Sequence, residues 1–158
     1  FATLAAQVSN LSSELAKLPA NGTVESTSPR LVLTGSDPTF NVLKIDAAQL
    51  GSINLNFPPD STAIVNISGT TAEWSGATVC LNGQCADSDQ ASRVLWNFYE
   101  AVSIHAQGIA IEGSVLAPLA TLTGSGGHLA GQTIVKNMNA GLEFHPYDFT
   151  GCVIPPSE

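Results

Sequence analysis

Leu4, Val8, Leu11, Leu15 and Leu18 recur every three or four residues, while Ser9, Ser12, Ser13, Glu14 and Lys17 fill the opposite side. That period predicts a helix over residues 1–18, with one apolar stripe that lies against another element. Pro19-Ala20-Asn21-Gly22 ends it with helix-breaking chemistry. After Thr23 the pattern changes. Arg30-Leu31-Val32-Leu33, Phe40-Asn41-Val42-Leu43-Lys44-Ile45, Ile53-Asn54-Leu55-Asn56-Phe57 and Ala63-Ile64-Val65-Asn66-Ile67 are apolar-rich runs separated by Gly, Asn, Asp, Ser and Pro. Such runs predict strands of about four to six residues. No second helical pattern of comparable length follows, which argues against alternating strand–helix units.

A repeat suggests how the strands are arranged. Ile111-Glu112-Gly113-Ser114-Val115-Leu116-Ala117 aligns with Leu129-Ala130-Gly131-Gln132-Thr133-Ile134-Val135, and at the same offset Ile104 falls on Leu122. The spacing is about one turn of a three-faced β-helix with roughly six residues per face, given ordinary strand lengths. In such a coil, inward aliphatic side chains stack on their equivalents one turn away. On periodicity alone a β-sandwich stays in competition with this solenoid.

Composition narrows the function. The 158 residues suit one domain; 44% are hydrophobic, 11% charged and 6% aromatic. Five Lys and Arg against thirteen Asp and Glu give a net charge of −8, which disfavours nucleic acid and anionic membrane surfaces as partners. No apolar run approaches the roughly 18 residues of a membrane helix, so no membrane insertion is expected. The chain starts at Phe1 without a signal-like segment, as a processed or partial chain would, and Pro155-Pro156-Ser157-Glu158 reads as the start of a linker.

Cys80 and Cys85 bracket Leu81-Asn82-Gly83-Gln84. Asn-Gly favours a two-residue type I′ turn, which sets Leu81 opposite Gln84 and Cys80 opposite Cys85 in a pair about 4.5 Å apart, suited to a disulfide. A disulfide implies export, hence a secreted or cell-surface protein. Cys152 is the odd cysteine, either buried as a thiol or joined to something outside the chain. Asn10, Asn21 and Asn66 each begin an Asn-x-Ser/Thr acceptor motif, Asn21 in the best-placed loop and Asn66 inside a strand-like run.

The last third carries a resemblance. Arg93-Val94-Leu95-Trp96-Asn97-Phe98-Tyr99-Glu100-Ala101 precedes Ile111-Glu112-Gly113-Ser114-Val115-Leu116-Ala117-Pro118, then Gly127-His128-Leu129-Ala130-Gly131-Gln132 and Phe144-His145-Pro146-Tyr147-Asp148-Phe149-Thr150-Gly151. With the opening helix and Val65-Asn66-Ile67-Ser68-Gly69, this succession resembles the choice-of-anchor A domain of extracellular and surface proteins. The resemblance implies an ice-binding-protein-like adhesive fold: a mainly β, right-handed parallel β-helix over residues 24–153 with the 1–18 helix packed along its side, and a tail at 154–158. It also implies a non-enzymatic adhesive or structural module. Similar domains usually carry strands before the helix, so a second chain or an upstream segment is expected to complete the β-helix.

Candidate chemistry is sparse. His105, His128 and His145 are spaced near one coil length, so two could stack on one face; a hydrogen-bonded structural role is expected rather than a metal, and no cofactor is expected. His145 is read as tying the final coil to Tyr147 and Phe149. Asp87-Ser88-Asp89 opens like a calcium loop but lacks its later Gly and Glu. Lys17, Arg30, Lys44, Arg93 and Lys136 are scattered, as are Asp37, Asp46, Asp60, Glu112 and Glu143, which speaks against a polysaccharide-cleaving solenoid. Gly124-Ser125-Gly126-Gly127 reads as a coil corner. The expected binding face centres on Thr121, Thr123, His128, Gln132 and Thr133, with an extracellular polymer, a cell-surface ligand or copies of the chain as partner. Ice binding is the alternative, with Thr121-Leu122-Thr123 as its one Thr-x-Thr rung. A polysaccharide-acting β-helix enzyme is the second.

Overall fold

The computed structural model describes residues 2–153. The helix α1 spans Ala2–Ala16. Twelve strands follow: β1 Thr23–Thr27, β2 Arg30–Thr34, β3 Phe40–Asp46, β4 Ile53–Asn56, β5 Thr62–Ser68, β6 Thr71–Ser75, β7 Val79–Leu81, β8 Val94–Phe98, β9 Ser103–Gln107, β10 Ile109–Glu112, β11 Ser114–Ala130 and β12 Thr133–His145. One sheet runs β1-β2-β4-β7 and the other β3-β5-β8-β11-β9-β6, with β10 and β12 also paired to β11. All pairs are parallel except the opening hairpin β1–β2.

The repeat in the sequence is the pairing register. Ile111 lies opposite Leu129, Val115 opposite Thr133 and Ile104 opposite Leu122. Columns of inward side chains result, such as Leu43–Val65–Trp96–Val115 and Ala72–Ile104–Leu122, and they form the main core. Trp74 and Trp96 meet edge to face at 5.4 Å in its middle, each indole N–H donating to a carbonyl, Gly51 and Glu112. Burying two indoles is tolerated because both polar handles are satisfied.

The second sheet curls because β11 bends round corners: its start pairs with β8, its middle with β9 and its end with β10. Gly124 sits at φ 119°, and a Cβ there would lie 1.7 Å from the Ala106 carbonyl oxygen of the neighbouring rung. Only glycine allows both the backbone conformation and that approach. The Gly124–Gly127 segment is thus a corner, as expected, but one within a single long strand.

The mainly β reading with one helix on the side holds, but the strands build a curled parallel half-barrel of two sheets rather than one closed ring. Among the described residues an isolated bridge, Thr78 to Ala110, links β7's side to β10's. β7 stops after three residues because the Cys80–Cys85 hairpin carries the chain out of the sheet. Strands also stop earlier than the expected 153. Residues 146–153 strap back over the outer surface, where the Phe149 N–H donates to Gln132 Oε1, Thr150 N–H to the Ser92 carbonyl and Cys152 N–H to Thr62 Oγ1. The expected 154–158 tail lies outside the described residues, as does Phe1.

α1 packs Val8, Leu11 and Leu15, with Leu18 just past its end, against the outward Phe40, Val42, Ile64, Leu95 and Leu116. The covered stripe starts at Val8, for Leu4 is 58% exposed. A polar seam fixes the depth and register of the helix. Ser12 Oγ donates to Asn97 Oδ1 at 2.6 Å, while Asn97 Nδ2 donates to the Ser12 carbonyl and to Asn66 Oδ1. Asn66 Nδ2 donates to the Leu15 carbonyl. Asn66 and Asn97 are fully buried, so the acceptor motif at Asn66 has no accessible amide for a glycan. Burial behind α1 adds a physical obstacle to the strand placement that already favoured Asn21 over Asn66.

The interior columns end in the open at β12. Met138 continues the Leu122 column and Phe144 the Leu129 column, yet they are 46% and 43% exposed. No rung covers them among the described residues.

Candidate functional site

Two surfaces carry chemistry. The first is the outer face formed by β6, β9, the middle of β11 and β12. Parallel in-register pairing aligns like positions across neighbouring strands, giving the rows Thr71–Ser103–Thr121–Asn137 and Glu73–His105–Thr123–Asn139. Asn137 Nδ2 reaches Thr121 Oγ1 at 3.4 Å; His105 Nδ1 lies 3.0 Å from Thr123 Oγ1 and its Nε2 3.1 Å from Gln107 Oε1. A groove of about 590 Å³ borders this face, lined by Asp46, Thr71, Glu73, Ser103 and His105 among others. In sequence only Thr121 and Thr123 suggest this face. Thr71, Ser103, Asn137 and Asn139 join it through register, a signal that lies in the offsets between strands rather than in any Thr-x-Thr motif.

The second surface is the mouth of the disulfide hairpin. Asn82 and Gly83 have φ of 49° and 83°, Leu81 bridges Gln84, and Cys80 and Cys85 are joined, as the Asn-Gly turn predicts. The chain then runs through Asp87, at φ 32°, into a 3₁₀ turn at Asp89–Arg93 that Ser88 caps. Glu112, buried at the end of β10, accepts from the N–H groups of Asp87 and Ser88. His128 Nε2 lies 3.1 Å from Glu112 Oε1 and 3.9 Å from Asp87 Oδ1. The His145 ring stacks on His128 at 4.5 Å, its Nδ1 2.7 Å from Asp87 Oδ1 and its Nε2 3.3 Å from Glu143 Oε2. Stacking of two histidines was legible from their spacing. Asp87 was not, because it arrives from a loop remote in sequence.

These contacts set the local electrostatics. The hydrogen bond to Asp87, then that to Glu143, raises His145 above the usual histidine range, since both carboxylates favour the imidazolium. The same bond holds Asp87 below the usual carboxylate range. Burial, with Asp87 nearby, raises Tyr147, whose hydroxyl donates to the Asp87 carbonyl. His145 thus ties the last strand to the hairpin loop rather than principally to Tyr147 and Phe149.

The five residues expected on one binding face are dispersed. Thr121 and Thr123 sit on the polar face, whereas His128 lies at the hairpin mouth. Gln132 holds the 146–153 strap through Phe149. Thr133 follows Val115 in an inward column, and its Oγ1 is buried without a hydrogen-bond partner. Asn10 and Asn21 are exposed, but Asn21 spans the β3 backbone, donating to the Phe40 carbonyl and accepting from the Val42 N–H. Cys152 is exposed, not buried.

Residues 1–146 match the model of the ice-binding-like adhesive domain family. Neither a curated protein nor a solved structure matches the chain.

Proposed function

From a chain that belongs to the ice-binding-like adhesive domain family, we propose a non-enzymatic adhesive module, secreted or held at the cell surface, that binds a neutral, hydroxyl-rich extracellular polymer. The observation that carries this reading is the row Thr71–Ser103–Thr121–Asn137, a register-matched line of small hydrogen-bonding groups beside an open groove. Such a rigid array meets a polymer with little ordering cost. Asp46 and Glu73 at the groove, with a net charge of −8, favour a neutral polymer over an anionic one. The nearer kinship to choice-of-anchor A domains and the completion of the half-barrel as a right-handed three-faced coil belong to the same reading. So do glycans at the exposed Asn10 or Asn21, and coverage of Met138 and Phe144 by another copy or segment.

The test is sedimentation with insoluble neutral glycans. Saturable binding that drops at least tenfold in Ser103→Arg plus Thr121→Arg supports the proposal. No saturable binding, or binding indifferent to those changes, overturns it, and release of reducing sugar ends supports an enzyme instead. The same row motivates ice binding as a second reading, because a line of small side chains at strand spacing can order water. Inhibition of ice recrystallisation, lost in the same double variant, distinguishes it.

A further inference from the structure

We propose that Asp87, His128 and His145 form a binding site for one divalent transition-metal ion of the zinc class. Each offers a ligand atom within 4.8 Å of the other two, and Asp87 Oδ1 itself lies 3.9 Å from His128 Nε2 and 2.7 Å from His145 Nδ1. Two imidazole nitrogens with one carboxylate oxygen form a donor set that suits zinc, copper or nickel rather than magnesium or calcium, which take all-oxygen sites. Three protein ligands leave a position for water.

Three features show the site held in place from outside. His145 turns Nε2 to Glu143 and Nδ1 to Asp87, the orientation a ligating histidine takes when a carboxylate fixes its far nitrogen. Asp87 is held by its left-handed backbone, by the Tyr147 hydroxyl on its carbonyl, and by its N–H on Glu112. Glu112, buried beneath His128 and 3.1 Å from its Nε2, adds a hydrogen-bonding carboxyl group under the site. The strand register makes the room: Ala130 separates Glu112 from His145, and the small Ala110 precedes His128 in its column. Binding exchanges two protons for the cation, the one between His145 and Asp87 and the one between His128 Nε2 and Glu112. The stacked rings splay by rotation about Cβ–Cγ, a soft torsion, to bring both lone pairs onto it. The ion would join three segments remote in sequence: the disulfide hairpin loop, the end of β11 and the end of β12, next to the uncovered last rung.

The test is calorimetric titration of the intact chain with zinc chloride, beside thermal unfolding with zinc and with magnesium. One equivalent of zinc binding at micromolar affinity, a rise in Tm with zinc only, and at least a thirtyfold affinity loss in Asp87→Asn and His128→Asn are expected. Cys152→Ser must keep the wild-type affinity. A readout without ligand variants comes from imidazole C–H NMR of the wild type, where zinc shifts two histidines and spares His105. No binding at millimolar zinc, affinity unchanged in both ligand variants or lost in Cys152→Ser, or shifts confined to His105 would each overturn the site. None of these outcomes bears on polymer binding by the polar face.

Discussion

Asn97 Nδ2 donates to Asn66 Oδ1 at 2.8 Å from the adjacent, in-register strand, and the same pair takes its remaining partners from α1 at Ser12 and Leu15. Four buried hydrogen bonds thus link three elements. Truncating one side chain strands its partners, and a buried unsatisfied group costs about 1–3 kcal/mol. Asn97→Ala is expected to lower the unfolding free energy by about 3 kcal/mol, counting the space left in a packed seam. Urea unfolding by circular dichroism checks it; a loss under about 1 kcal/mol would leave apolar packing alone as the anchor of α1.

Burial of Asn66 makes a second prediction. In chain secreted from a glycosylating host, peptide mapping is expected to find Asn66 unmodified, with any glycan confined to Asn10 or Asn21. Full occupancy at Asn66 would mean that α1 docks after modification, or elsewhere.

The Cys80–Cys85 bond closes a short loop, so its removal frees little chain entropy. Cys80→Ser with Cys85→Ser is expected to cost about 2 kcal/mol by the loop-closure relation. Thermal unfolding compared with a reduced wild type measures it. The double variant should also loosen Asp87, seen as faster amide exchange at Asp87 and Ser88, whose N–H groups lie on Glu112.

Asp37 carries a pH dependence. Its carboxylate accepts from the N–H groups of Phe40 and Thr39 at the entry to β3, which holds its pKa below the ordinary carboxylate value. A group depressed in the fold stabilises above its unfolded pKa of about 3.9 and loses that contribution as pH falls through the folded value. Wild type is therefore expected to exceed Asp37→Asn in stability at neutral pH, with the gap closing in acid below about pH 4. Melting temperatures from pH 7 to pH 2 test this. A gap constant across the range would assign it to shape rather than charge.

Gly124→Ala tests the bend in β11. A Cβ would meet the Ala106 carbonyl, and φ 119° is strained for alanine. Strain and clash together are expected to cost at least about 2 kcal/mol, near the large end of single-residue effects. A thermal shift of less than a degree would show that the corner relaxes freely.

Much of this protein was legible along the chain, for local reasons. The stripe from Val8 to Leu18 can form only on a helix, and the runs at β2 to β5 only as strands; both appear nearly where the pattern puts them. The Asn82-Gly83 turn brings Cys80 to Cys85 because six consecutive residues contain the whole geometry. The 111-to-129 alignment is the register itself, since stacking like on like writes a period into the sequence. What tertiary structure alone decided are the relations between distant segments. Which asparagine is buried depends on where α1 lies; whether Thr121 and Thr133 share a face depends on the bend between them. Asp87 reaches His128 and His145 only because the hairpin folds over two later rungs. A linear pattern records which side chains prefer water, but not which remote backbone will come to cover them.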